Sequence, residues 1–211
     1  MSEHPGFTPD EPWSITLKPG HQYEAAAAYV HQTLGRGYGR SVLVIGSPPR
    51  EAYMLADDGW QVTYLDWRRP PIMPGIEVRV GNALSLPFER GRFSALTSTC
   101  VLCHAGMGRY GDPVDEDGPS RMLAECRRVI REDEVAVLMA GPVYAGPPIS
   151  IGTIHRVTTP EELGEHASSR GWAIEELAVW NPNTQAMLGP SEQISQNRDA
   201  PDYLCAVLRA V

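Results

Sequence analysis

The 211-residue sequence has no excess of positive charge: 18 Lys and Arg stand against 26 Asp and Glu, a formal net charge of −8. Sequence-independent binding to nucleic acid needs a basic face, so that class of partner is not expected. Long apolar runs are missing too. None approaches the roughly 18–20 residues that a membrane helix needs, so no membrane association is expected. The opening MSEHPGFTPDEPW lacks the basic and apolar regions of an export signal, and a cytoplasmic location is expected. Cysteine is scarce, with four residues at 100, 103, 126 and 205. That is too few for a disulfide framework in a chain of this length, and they read as small buried hydrophobes. The remainder is ordinary. Hydrophobic residues make up 42% and charged residues 21%, enough for one domain with a full core.

Residues 1–40 read as an N-terminal arm and helix, and 41–211 as the main domain. The helix covers 21–36, with Tyr23, Ala27, Val30 and Leu34 at helical spacing. SVLVIG (41–46) is a short β-branched run ending in Gly, as in a central parallel strand. Further strands are expected at 60–66, 76–83, 92–102, 135–143, 172–180 and 202–211. Helices are expected from Glu51 to Gly59, over 120–131, and over 158–171 behind a Thr cap and a first-turn Pro. This alternation implies an α/β fold: a Rossmann-like, seven-stranded, mostly parallel sheet with helices on both faces. The last two strands have no helix between them and would form an antiparallel edge hairpin. Residues 181–200 read as a polar connection.

Ligands of open α/β sheets bind beyond the carboxyl ends of the strands. The first such tip reads Gly46-Ser47-Pro48-Pro49-Arg50-Glu51, a turn that keeps only one glycine. Ser47 could cap the next helix, with Pro48 at its first position. The second tip ends in Asp66, 20 positions after Gly46, with Trp67 beside it. An acid at that distance can accept both hydroxyls of a ribose. The third tip, GNALSLPF, offers Asn82 to an adenine edge; the plainer alternative is an Asx turn.

The fourth tip contains CVLCH (100–104), which matches the Cys-x-x-Cys-His pattern of c-type haem attachment. Two features oppose haem. No export signal precedes it, and FSALTSTCVL is a β-prone run suited to a buried strand. A zinc site lacks a second Cys or His pair at ligand spacing.

VTYLD, VGNALSLPFERGRFSALTSTCVLCH, the helix with ECRRVI and the strand VAVLMAGPV together resemble a class I S-adenosylmethionine-dependent methyltransferase. In that superfamily the segment after strand three reads G-D-A-x-x-L-P-F and strand four ends in V-L-x-H. Here these are Gly81–Phe88 and Val101–His104, so CVLCH is V-L-x-H behind an incidental cysteine. IGSPPREA, HAGMGRYGDPVDEDG and IHRV further resemble a methyltransferase-like group with a G-R-Y-G-D-P motif, over about residues 41–180. The chain departs from it in an early proline of the first loop, and in IREDEVAV, which lacks the usual proline and double glycine.

The resemblance implies S-adenosylmethionine as cofactor and a small polar, anionic metabolite as methyl acceptor. Gly46, Ser47, Pro48, Glu51, Asp66, Trp67, Asn82, Ala83 and Cys100 are then the cofactor residues. His104 and His155 are candidate bases, since imidazole titrates near neutrality, and Tyr110 could orient the acceptor. Arg109, Asp112 and Arg156 are the candidate substrate contacts, the arginines as carboxylate or phosphate clamps. His104 could instead bond a neighbouring backbone group, and Arg109 could pair with Asp112 inside its own loop. Asp115 and Asp117 read as solvated; with His104 or His155 they could bind a divalent ion, though no metal is expected. A second reading is a methyltransferase fold that binds a nucleotide-type ligand without transferring methyl. The oligomeric state is left open, a homodimer included.

Overall fold

The computed structural model describes residues 22–109, 111–143, 149–151, 155–189 and 202–211. Tyr110 and the N-terminal arm lie outside the described residues, and His155 is described in its backbone only.

Helix α1 (Gln22–Leu34) leads into β1 (Ser41–Ile45), α2 (Pro49–Asp57), β2 (Gln61–Asp66), β3 (Glu77–Val80) and β4 (Phe93–Thr99). A single 3₁₀ turn, Leu102–His104, follows β4. Then come α3 (Gly118–Val129), β5 (Ile130–Val143), the short strands β6 (Ile149–Ile151) and β7 (His155–Val157), and α4 (Pro160–Ser168). β8 (Trp172–Asn181), β9 (Ala186–Leu188) and β10 (Asp202–Ala210) close the chain.

The main sheet runs β3-β2-β1-β4-β5-β10-β8-β9. The first five strands pair in parallel. β10 inserts antiparallel between β5 and β8. The sheet therefore has eight strands rather than the expected seven. The extra one, β9, comes from the segment read as a polar connection: Asn181 accepts the backbone N–H groups of Asn183 and Thr184 and turns the chain back on β8. β6 and β7 form a separate antiparallel hairpin.

Side chains alternate across β1, and this alternation builds two cores. Val42 and Val44 face α1 and α2, packing among Ala26, Tyr29, Val30, Ala52 and Leu55. Leu43 and Ile45 join the opposite cluster with Met122 and Leu123 of α3 and Leu163 of α4. The expected Thr cap of α4 is present, Thr159 accepting the N–H of Glu162 at 3.1 Å. Strand order reverses between β1 and β4, which opens the crevice where ligands of this architecture sit. Among the described residues no helix is long and apolar enough to cross a membrane.

Candidate active site

The first loop is pinned from beneath. Gly46 has φ +60°, and a Cβ there would stand 2.6 Å from Val101 Cγ2. Glycine thus permits both the turn and the close approach of the 3₁₀ segment. Helix α2 begins at Pro49, and Pro48 precedes it with no side-chain cap. Ser47 turns away from the expected cap position. Its hydroxyl accepts the N–H of Thr99 at 3.0 Å, and its carbonyl accepts the Tyr64 hydroxyl at 2.5 Å. Glu51 is 1% exposed in the first turn of α2. Thr97 and Thr99 of β4 donate their hydroxyls to its two carboxyl oxygens, at 2.7 and 2.8 Å. Ser47 and Glu51 therefore stand behind the loop as its support and do not line the cavity in front of it.

Burial pushes the Glu51 carboxyl above the ordinary range, against the pull of the Thr97, Thr99 and Ser47 hydrogen bonds. An acid whose pKa is raised by folding costs stability as pH climbs above its unfolded value of about 4.3. Glu51→Gln removes that cost and keeps the side-chain shape. The melting temperature of the variant, relative to the wild type, should rise from pH 4 to pH 8. A constant difference across that range would mean that Glu51 folds without a penalty for its charge.

Asp66 ends β2 with 3% of its surface exposed. Arg68 holds both carboxylate oxygens: its backbone N–H (2.8 Å) and Nε (3.2 Å) donate to Oδ1, and Nη2 (3.1 Å) donates to Oδ2. At the third tip the Asx turn is present, Asn82 Oδ1 accepting the N–H of Leu84 at 2.9 Å. Asn82 nevertheless lines the cavity. With Oδ1 engaged, its remaining polar group is the amide donor.

Cys100 follows β4 with φ +57°, a left-handed conformation uncommon for a side-chain-bearing residue. Its N–H donates to Met139 O of β5, which holds the strained turn. Burial pushes the Cys100 thiol well up and that of Cys103 up to about 12. Both cysteines belong to the core cluster on the α1–α2 side, Cys103 at its interior and Cys100 at the edge of the ligand crevice. His104 ends the 3₁₀ turn, with Arg109 Nη1 3.3 Å from each ring nitrogen. Asp112 Oδ2 accepts the N–H of Gly108 at 3.4 Å, which folds the Arg109 loop over itself. Asp115 pairs with Arg121 at 3.0 Å and accepts the N–H of Asp117. Among the described residues no group of three His, Cys, Asp or Glu side chains could hold a metal ion.

These tips enclose a cavity of about 280 Å³, close to the roughly 300 Å³ at which small-molecule sites begin. Of the expected cofactor residues, Gly46, Pro48, Asp66, Trp67, Asn82, Ala83 and Cys100 line it. His104, Arg109 and Asp112 line it as well. Arg156 stands outside, on β7 beside the 3₁₀ turn. Its Nη2 donates to Glu116 O at 3.3 Å, while Nη1 is buried without a partner. Five lining residues fall outside the expected tips: Tyr23 of α1, Ile45, Leu65, Arg68 and Thr99. The Arg68 contact had a signal in its spacing, because an Asp accepting the N–H two residues on is an Asx turn.

Residues 34–138 match the family model described as a methyltransferase domain. No curated protein sequence matches the chain. Among solved structures, the Burkholderia thailandensis 1,6-didemethyltoxoflavin-N1-methyltransferase, crystallised with 1,6-didemethyltoxoflavin and S-adenosylhomocysteine, superimposes with a TM-score of 0.67 at 17% identity, covering 95% of this chain and 94% of its own. The Streptomyces coelicolor A3(2) geranyl diphosphate C-methyltransferase gives 0.64 at 14%, covering 89% and 79%. The [4+2]-cyclase SpnF gives 0.63 at 15%, covering 89% and 80%. Likeness at these identities is likeness of fold, and one fold serves several reactions. The methyltransferase domain match over residues 34–138 and the methyltransferase fold around it together support the class I S-adenosylmethionine-dependent methyltransferase superfamily as the chain's family.

Proposed function

We propose that the protein transfers a methyl group from S-adenosylmethionine to a small anionic metabolite. The observation that carries this reading is the crevice itself. The nearly buried Asp66 and the His104–Arg109 pair line a single cavity. The residues suit the cofactor. Asp66 can accept two ribose hydroxyls, the Asn82 amide can donate to a ring nitrogen of adenine, and Gly46 keeps the loop clear of side chain. S-adenosylmethionine supplies an activated methyl group for in-line displacement at its sulfonium carbon.

The protein's part is to hold the acceptor about 3 Å away and aligned, and to take its proton. His104 lies where it can act as that base. Arg109 offers a planar fork to a carboxylate or phosphate. Tyr110 and His155 keep the orienting and second-base roles assigned to them by resemblance.

Arg109→Ala should raise the KM for the acceptor about tenfold or more, with little change in affinity for S-adenosylhomocysteine. The assay follows isotope-labelled methyl from S-adenosylmethionine into a panel of small carboxylates and phosphates. Equal losses for anionic and neutral acceptors would remove the anion-binding role.

A further inference from the structure

Asp66 and Arg68 form an ion pair inside the cavity, with side chains only 4% and 14% exposed. The guanidinium engages both carboxylate oxygens, Nε on Oδ1 and Nη2 on Oδ2. Those are the two oxygens that a ribose 2′,3′-diol needs. With Asp66 almost wholly covered, the diol and the guanidinium contend for one place. The backbone N–H of Arg68 also donates to Oδ1. That bond belongs to the Asx turn and fixes the carboxylate whatever the Arg68 side chain does.

We propose that Arg68 is a displaceable counter-ion that sets the affinity of the cavity for diol-bearing ligands. This inference rests on the reading of the cavity as the S-adenosylmethionine site. When the site is empty, the guanidinium satisfies a charge that would otherwise be buried alone. When a ribose enters, its hydroxyls take over the carboxylate and the arginine swings aside on its flexible stem. Binding then costs the breaking of one charge-assisted, two-pronged contact. A ligand without the diol leaves the ion pair in place and does not bear that cost. Arg68 thereby tempers the affinity for diol-bearing ligands while leaving that for other ligands nearly unchanged, and so narrows the difference between the two binding free energies.

The test is calorimetric titration of the full chain and of Arg68→Ala with S-adenosylhomocysteine and its 2′,3′-dideoxy analogue. Arg68→Gln serves as second variant should the alanine form fold poorly, because it keeps the backbone donor and a neutral side chain. The expected result is a Kd for S-adenosylhomocysteine roughly tenfold lower in the variants, with a much smaller gain for the dideoxy analogue. An unchanged or weaker affinity would overturn the proposal and make Arg68 a bystander or a ligand contact. Equal gains for both ligands would also overturn it, since the diol would then not be what displaces the arginine. Absence of binding in the wild type and in both variants would instead overturn the reading of the cavity on which the proposal stands.

Discussion

Asp66→Ala is expected to lose at least a hundredfold in affinity for S-adenosylhomocysteine while the chain still folds. Each ribose hydroxyl would donate to a charged acceptor, and a hydrogen bond to a charged group contributes about 1.5–3 kcal/mol. Losing two of them costs about 3 kcal/mol or more, which is two orders of magnitude in Kd. The substitution also leaves the Arg68 guanidinium, 14% exposed, without its carboxylate. The melting temperature of the ligand-free variant should therefore fall modestly, and the upward shift produced by saturating ligand should vanish. A variant that keeps the ligand-induced shift would show that Asp66 does not hold the ribose.

The second large effect is expected at Gly106. This residue has φ +72°, and a Cβ there would stand 2.2 Å from the carbonyl oxygen of Asp115. The two residues form the neck of the loop that carries Arg109 and Asp112, and the N–H of Asp115 donates to Gly106 O at 2.8 Å. Alanine would meet both a left-handed backbone and a clash with a main-chain atom that cannot rotate away. Gly106→Ala should cost about 2–4 kcal/mol of stability and remove methyl transfer, because the Arg109 loop could no longer close. Gly111→Ala is the control. That residue lies in the same loop with φ +79°, but has nothing within 4 Å of the added carbon. It should cost about 1–2 kcal/mol, the conformational strain alone. Equal losses at the two positions would mean that the neck is not what holds the loop.

The sheet was legible in the sequence because its central strands are buried on both faces. Runs such as SVLVI and FSALTST are then apolar or small throughout. β9 was not, being three residues long and partly exposed at an edge. Helix α3 begins at Gly118, two residues before the expected start, because Pro119 falls in its first turn.

In the site, Asp66 was legible because its position depends on chain spacing alone. Glu51 was expected among the cofactor residues, and its inward direction was not legible. Which way it faces depends on Thr97 and Thr99, 46 and 48 residues further along the chain. The CVLCH motif was ambiguous on the page. Only burial separates a haem or metal motif from two packed thiols, and burial belongs to the fold rather than to the pentapeptide.

Calorimetric titration of the wild-type chain with S-adenosylmethionine and S-adenosylhomocysteine tests the central claim most directly. Binding of both at a single site with micromolar affinity, abolished by Asp66→Ala, is the expected result. No heat at near-millimolar ligand would contradict it, and would mean that the proline-filled first loop and the Arg68-capped Asp66 have given the crevice to a different ligand.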